Sequence, residues 1–503
     1  MTQRKVSTYL SKSLFVRGHQ CHKSLWLHKF QPELKDPVDE ALQARFDSGH
    51  EVGTLAQQLF PGGVEVPYEG LTHAEQLAMT QELLAEGRNT IYEATFQHDG
   101  IFVKVDILHR GAAGWEILEV KESTEVKEVH YHDAALQLYV LAGAGLDVSK
   151  VAIVHIDNSY VRNGDIEVQK LFTVEDVTDK VREMQANVPA EIADMRAMLA
   201  EEMPAIDIGP QCKDPYDCDF RGHCWQHIPE DSVFDLRERG VDKFALYRGG
   251  IIRQAEIPLD ILNAKQRQQV KATLKQVDSL DKVEVRKFLD DLWYPLCYLD
   301  FETVFPAIPP FDGLRPYQQM PFQYSLDVQM SAGAKPVHHE FLAQPGVDPR
   351  EELTRRLLEQ IPEGACVIAW NQRFEQGILA DLGAHLPRHT ARIGDLIGSF
   401  RDPMSLFRER SVYLWQQKGS YSIKAVLPVL IPELRYDGLE VANGEMAMGA
   451  YHDMRTAKNP QELARIRKAL LEYCGLDTLA MVRIVEKLRE MATEISTGLV
   501  LPL

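Results

Sequence analysis

No apolar run in the 503 residues approaches the roughly 18 that a membrane-spanning helix needs. The opening MTQRKVSTYLSKSLFVRG has basic residues but no apolar stretch behind them, so a signal peptide is not expected and the reducing cytoplasm is the expected compartment. Internal repeats and low-complexity tracts are missing too, which excludes repeat architectures. Positive charge is in deficit: 55 Lys and Arg stand against 74 Asp and Glu, a net charge of −19. A chain of this charge is no general polyanion wrapper, so contact with phosphate has to be local. Two local basic stretches exist, Arg267 to Lys275 and Arg408 to Lys424, the latter interleaved with Tyr413, Trp415 and Tyr421. Such stretches also serve as solvated helix faces or loops. Cysteines number only seven. Disulfides are disfavoured in a reducing compartment, so metal binding or burial has to account for them. Cys297, Cys366 and Cys474 sit among apolar residues and read as small buried hydrophobes.

What is present is the composition of a folded protein, 45% hydrophobic and 26% charged, over a length that calls for two or three domains. Residues 40 to 60 and 72 to 87 read as helices. IYEATFQHDGIFVKVDIL alternates and breaks at His98-Asp99-Gly100, a hairpin signal, and WEILEVK follows a turn at Gly111 to Gly114. HDAALQLYVLAGAGL reads as a helix ended by glycines, VAIVHI as a strand, and 175 to 202 as one charged amphipathic helix. A cysteine-rich loop at 211 to 225 closes a first domain, 1–229. Residues 230–290 read as a helical connector. A domain at 291–503 starts with the apolar strand PLCYLDFE and ends with a helix over 461 to 494. Strands followed by helices predict an α/β or α+β class.

Three groups of residues carry chemistry. The first is Asp106 in VKVDIL with Glu119 and Lys121 in LEVKEST. Glu119 and Lys121, two apart on a strand, share a face, and a neighbouring strand can bring Asp106 beside them. Two adjacent carboxylates repel unless a cation lies between them, and Mg²⁺ or Mn²⁺ there activates water for attack on a phosphodiester. A lysine beside the metal steadies developing charge on phosphate. The hairpin before this pattern and the helix with Gln137 and Tyr139 after it resemble the PD-(D/E)XK nucleases, in particular their RecB-type exonuclease branch. The resemblance implies a restriction-endonuclease-like fold, metal ligation by Asp106 and Glu119, and catalytic roles for Lys121 and Gln137. Tyr139 lies closer to Gln137 than that branch usually has it. The Gly-x-x-x-His motif of the family is absent. Gly49 is followed by Gly53 four residues on, and His50 is the candidate substitute ligand. Val103 and Lys104 stand where the family usually has a glycine. Glu93 is a further acid near the site or on the surface.

The second group is Cys212, Cys218 and Cys224 in CKDPYDCDFRGHC, with Cys21 in QCHKSLWL far upstream. Pro, Gly and Asp fill that loop and leave no apolar core to bury thiols. One cysteine before the nuclease core and three after it resembles the iron–sulfur RecB-type nucleases, including the CRISPR-associated members, and implies a structural 4Fe-4S cluster on Cys21, Cys212, Cys218 and Cys224. Zn²⁺, with His22, His223 or His227 as spare ligands, is the alternative.

The third group is Asp300 and Glu302 in LCYLDFET, then Asn371-Gln372-Arg373-Phe374-Glu375 after the strand CVIAW, then Tyr473 and Asp477 in YCGLD. Tyr473 and Asp477, four apart on a helix, stack one above the other. Four carboxylates from a strand and two later elements can hold a metal pair. This order resembles the tyrosine-bearing DEDD exonucleases of the ribonuclease H-like superfamily, with Asp300, Glu302, Glu375 and Asp477 as metal ligands and Tyr473 orienting water. Glu375 replaces the usual Asp. Asp395 is a possible supporting residue.

Together the resemblances imply a metal-dependent nuclease acting on nucleic acid, DNA before RNA, with an N-terminal cleavage site and a C-terminal 3′-5′ exonuclease site. The setting would be repair, recombination or defence against mobile DNA. A bacterial family of uncharacterised function joins the same two modules, and the chain resembles it. The competing expectation is a nucleic-acid-binding or scaffold protein in which one or both sites are degenerate.

Overall fold

The strands expected over 90–121 form, and the chain returns to them twice. The computed structural model describes residues 9–37 and 40–493; the basic start at 1–8 lies outside them. Residues 1–227 with 306–318 cluster as one unit, and 228–305 with 319–503 as a second.

In the first unit β1 (Leu10–Ser11) leads into α1 (Lys12–Gln20), α2 (His22–Phe30), α3 (Glu40–Ala56), β2 (Val64–Glu65) and α4 (His73–Ala85). Thr72 and Glu75 cap α4 reciprocally, each side chain taking an N–H of the other residue. The strands β3 (Thr90–His98), β4 (Ile101–Arg110) and β5 (Trp115–Lys121) pair antiparallel in turn. Asp99 and Gly100, at φ 45° and 63°, make the first hairpin turn, which needs both central residues left-handed. Next, α5 (Glu128–Gly143) crosses over so that β6 (Val148–Ile156) runs parallel to β5. After α6 (Val168–Leu171) come β7 (Phe172–Asp176), α7 (Thr178–Met184), α8 (Val188–Ala200) and α9 (Arg221–Cys224). The single helix expected over 175–202 is therefore divided. β7 takes its start as an edge strand on β6, and Pro189 opens α8 afresh in its first turn. The sheet order is β2-β3-β4-β5-β6-β7, with β1 on β4.

Burial on both faces explains the apolar strands. Val105, Ile117 and Ile153 pack with Leu136 and Val140 of α5 and Ile192 of α8. On the other face Ile107, Leu118 and Ala152 pack with Val52 and Ala56 of α3 and with Ala307, which comes from the 306–318 segment.

The second unit begins earlier than expected. Residues 230–290, expected as a helical connector, cluster with it and hold only α10 (Lys243–Arg248), α11 (Ala264–Lys275), β8 (Ser279–Leu280) and α12 (Lys282–Asp290) between short 3₁₀ turns. There follow β9 (Leu296–Val304), β10 (Met320–Gln329), β11 (Val337–Leu342), α13 (Arg350–Gln360), β12 (Cys366–Ile368), α14 (Gln372–His385), α15 (Thr390–Gly398), β13 (Phe400–Arg401), α16 (Met404–Arg408), β14 (Val412–Tyr413), α17 (Ile423–Leu430), α18 (Gly444–Thr456) and α19 (Pro460–Thr493). The main sheet runs β11-β10-β9-β12-β13. Its β9, β10 and β11 are antiparallel, while β12 and β13 are parallel to β9 and to each other. Alternation along β9 splits its side chains. Cys297, Leu299 and Phe301 join a core with Leu353, Leu379 and Ile393 of α13, α14 and α15. Asp300 instead meets Cys474 of α19 on the opposite face.

Candidate functional site

Strand register assembles the first carboxylate group. Ile107 pairs with Leu118, which sets Asp106 across from Glu119. Tyr92 pairs with Ile107 and Ala94 with Val105, which sets Glu93 across from Asp106. Glu93 holds φ 55°, a left-handed conformation costly for a residue with a Cβ and of the kind that collects at functional sites. Glu119 is 1% exposed. Its Oε1 accepts hydrogen bonds from Lys12 Nζ at 2.7 Å and Lys121 Nζ at 2.6 Å, and its Oε2 from Gln137 Nε2 at 2.7 Å. Lys121 Nζ also donates to Asp133 Oδ2 at 2.6 Å, and the Val120 N–H donates to Asp106 Oδ2 at 2.7 Å.

The two acids respond oppositely to this setting. Burial, then the neighbouring Glu119 charge, pushes the Asp106 carboxyl up to about 8 against the pull of Lys12. Burial opposes the Glu119 charge as well, but Lys12 and Lys121 outweigh it and hold that carboxyl well below its ordinary value. Burial also raises Glu93. Asp106 therefore holds its proton more tightly than a free carboxyl, and a divalent cation arriving between it and Glu119 would displace that proton. The residues fit such a cation: two opposed carboxylates, one already ionised, Glu119 buried and Asp106 half-buried.

Of the other expected residues, Gln137 is in place. Tyr139 is not: its ring packs edge-on against His98 at 5.5 Å, on the β3–β4 hairpin. His50 is exposed on α3; its neighbours Ser48 and Gly49 lie against Glu122, just past the end of β5. Two site residues escaped sequence reasoning. Asp133 lies one helical turn before Gln137 on α5, so its position was legible from helical period. Lys12, 107 residues before Glu119, left no sequence signal.

The four cysteines expected to act together line one small cavity with Ser24 and Phe220. None is disulfide-bonded. Burial raises the Cys21 thiol, opposed by the N–H groups of Ser24 and Lys23 that point at it. The surrounding frame joins the two ends of the domain: Arg17 clamps Asp219 with two nitrogens at 2.5 and 2.9 Å, and Gln20 Nε2 donates to the Gln211 and Tyr216 carbonyls. The donor set suits a soft metal centre. His22, His223 and His227 are not among the lining residues, and His22 instead lies 3.6 Å from Asp194.

In the second unit Asp300, Glu302 and Cys474 place ligating atoms within 4.8 Å of one another. Cys474, read from sequence as a small buried hydrophobe, is fully buried, but its thiol points at Asp300 Oδ2 from 3.6 Å. Burial, then Asp477, Glu302 and Glu375 in that order, pushes Asp300 well above its ordinary value. Burial and Asp477 push Glu302 to about 8, and burial pushes Asp477 to about 6. Glu375 opens α14, is 2% exposed, and its Oε2 has no hydrogen-bond partner among the described residues. Four clustered carboxyls, those of Glu302, Glu375 and Asp477 buried and that of Asp300 half-buried, fit divalent cations. Tyr473 Oη accepts from Lys424 Nζ at 3.0 Å, and Tyr436 Oη donates to Asp477 Oδ1 at 2.5 Å. Sequence reasoning passed over Tyr436 and Asp402, which accepts from the Asn371 N–H at 3.2 Å and adds to the charge around Glu375. Asp395 is exposed on α15.

Lys424 also lines an open groove with Arg237, Arg239, Trp370, Asn371 and Tyr421. The basic stretch over 408–424 is only partly surface: Arg410 and Tyr413 are buried, while Tyr421 is exposed, its carbonyl held by Trp370 Nε1 at 3.0 Å.

No helix among the described residues is long and apolar enough to cross a membrane. No curated protein matches the chain. Residues 297–422 match a domain of unknown function (DUF2779). Residues 3–225, which contain Asp106, Glu119, Lys121 and all four clustered cysteines, match the PD-(D/E)XK nuclease superfamily, so this part of the chain is a PD-(D/E)XK nuclease domain, of a superfamily that hydrolyses nucleic acid with divalent cations such as Mg²⁺ or Mn²⁺.

Proposed function

We propose that the chain is a nuclease with two metal-dependent sites, a RecB-type cleavage site at Asp106, Glu119 and Lys121 and a DEDD-type 3′-5′ exonuclease site at Asp300, Glu302, Glu375 and Asp477. The observation that carries the first site is the convergence of Asp106, Glu119, Lys121 and Gln137 inside the matched nuclease domain. Asp106 and Glu119 would hold a cation that would supply a water of lowered pKa and polarise the phosphodiester. Lys121 would stabilise the charge developing on the phosphate, Asp133 and Glu119 fix the lysine, and Gln137 fixes Glu119.

The second site is supported by its acids and by its sheet. The acid-bearing first strand is central, with its antiparallel hairpin on one side and parallel strands on the other, which brings Asp300 and Glu302 to the middle of the sheet. Tyr473 positions water with Lys424 behind it. The groove at Lys424 would hold the substrate strand, with Tyr421 as a stacking face and Arg237 and Arg239 along the backbone. DNA is the proposed substrate, and cytoplasm the proposed compartment.

A structural 4Fe-4S cluster on Cys21, Cys212, Cys218 and Cys224 completes the reading. All four thiols line one cavity, and four thiolates are the ligand set of such a cluster.

The test is digestion of end-labelled single-stranded and duplex DNA and RNA with Mg²⁺ or Mn²⁺. Asp106→Asn should remove one cleavage pattern and Asp300→Asn another. Loss of neither would leave a nucleic-acid-binding protein with degenerate sites.

A further inference from the structure

Behind the first carboxylate group lies a cluster that no part of the nuclease chemistry uses. His19 at the end of α1, His132 on α5 and Glu191 on α8 place one ligating atom each within 4.8 Å of one another. His19 Nε2 is 3.0 Å from Glu191 Oε2, and the two imidazole rings lie 4.3 Å apart, tilted by 40°. His132 Nδ1 is buried with no hydrogen-bond partner among the described residues. The cluster borders a cavity lined by His19, Glu191, His22 and Asp194, with Gly18 at its wall.

Two imidazoles pressed together beside one carboxylate make a poor ion pair. Protonating both histidines would place two positive charges side by side, and leaving both neutral wastes a buried ring nitrogen. A single divalent cation resolves both problems, because neutral imidazole nitrogens and a carboxylate oxygen are ligands of borderline transition metals. Two histidines and one glutamate would leave a further position open, and the cavity beside the cluster, which His22 and Asp194 also line, has room for it.

We propose that His19, His132 and Glu191 bind one zinc-class divalent ion. Its ligands are distinct from the four cysteines, although the cavity beside it shares Cys21 with the cysteine cavity, and distinct from the carboxylate sites. Its role follows from the three helices it would join. α1 carries Lys12, which holds Glu119. α5 carries Asp133 and Gln137, which hold Lys121 and Glu119. α8 carries no residue of the carboxylate site, so an ion on Glu191 ties both site-bearing helices to a third support. The ion braces the residues that fix Glu119 and Lys121 and does not touch substrate.

The experiment uses full-length protein purified anaerobically, so that any iron stays bound. Zinc and iron are measured by mass spectrometry after addition and removal of excess ZnCl₂, and CoCl₂ serves as a spectroscopic probe. Wild type should hold one zinc, and its cobalt form should show ligand-field bands without thiolate-to-cobalt charge transfer. Glu191→Gln and His132→Ala should each weaken cobalt binding about tenfold or more, the scale of disturbing a metal's ligand environment, with iron content unchanged. The added zinc should raise the melting temperature of wild type and leave that of Glu191→Gln unmoved, which separates lost binding from lost folding. Equal cobalt affinity in wild type and Glu191→Gln would overturn the proposal. So would strong thiolate charge-transfer bands, or zinc that disappears in Cys212→Ala and persists in His132→Ala.

Discussion

Lys121 stands between two buried acids, Glu119 and Asp133, at 2.6 Å from each, and its ammonium is held well above its ordinary pKa: burial opposes that charge, and the two carboxylates outweigh it. Removing one partner of a buried pair leaves uncompensated charge, so Lys121→Ala should abolish metal-dependent cleavage and also cost roughly 3 kcal/mol of stability. Lys121→Met in an Asp133→Asn background should recover much of the stability and none of the activity. Chemical denaturation beside a cleavage assay checks both. An activity loss with unchanged stability in Lys121→Ala would mean the buried contacts are not formed. The second site makes a complementary prediction. Glu302 has its folded pKa raised from 4.5 to about 8 by burial and Asp477. A group shifted upward contributes stability that is complete below its unfolded pKa and is lost as pH rises through the folded value. Metal-free protein in EDTA should therefore lose thermal stability between about pH 5 and 9, and Glu302→Gln should flatten that loss. A profile with equal slope in both proteins would contradict the assignment. At this scale the sequence was informative where one residue type met one spacing. Glu119 with Lys121 and Asp300 with Glu302 share faces because strands have period two. Lys12, Tyr436 and Asp402 could not be read, because their proximity is made by tertiary packing between segments far apart in sequence. Cys474 is buried as its apolar neighbours suggest, but its contact with Asp300 is made by tertiary packing and left no sequence signal.

The long helix α19 shows what an element contributes. Tyr473, Cys474 and Asp477 lie within one turn of it and meet β9 as a group. The tyrosine is 4% exposed, so it also packs. Tyr473→Phe preserves that packing and removes only the hydroxyl bonded by Lys424, so single-turnover 3′ trimming should slow by about 10², the scale of losing one positioned group, with metal affinity and melting temperature retained. Calorimetry and a 3′-labelled oligonucleotide supply the measurements, and wild-type trimming by this variant would remove the hydroxyl from the mechanism. The groove gives a second element-scale expectation. Tyr421→Ala should weaken single-stranded binding by about 1–3 kcal/mol, the usual contribution of one stacked base, without altering cleavage chemistry. Elements with strong periodic patterns, the β3–β5 meander and the helix around Gln137, were legible. Those that depend on an interrupting residue were not, as Pro189 shows by splitting the helix expected over 175–202.

Across the whole chain, a net charge of −19 leaves contact with a polyanionic substrate to local basic groups, such as Arg237, Arg239 and Lys424 at the groove. The cysteine cavity joins the start and the end of the nuclease domain, since Cys21 and Cys212 are 191 positions apart in the sequence yet line the same space. A centre on those thiols closes a long loop and adds to folding free energy. Anaerobically purified protein should then carry about four irons per chain, the number of a 4Fe-4S cluster, and Cys212→Ala should lose iron and thermal stability together. Stoichiometric zinc in place of iron would contradict that composition. Two independent acid groups suggested the domains expected at 1–229 and 291–503. The compact units have other limits, because residues 230–290 and 306–318 are assigned by whom they pack against. If Asp106 and Glu119 form a metal-dependent phosphodiester-cleaving site, it shows in single-turnover cleavage of end-labelled single-stranded DNA with Mn²⁺, comparing Asp300→Asn protein with the Asp106→Asn, Asp300→Asn double variant. Residual cleavage is expected in the first and none in the second, with no fall in melting temperature on neutralising Asp106. Equal cleavage by the two proteins would contradict it.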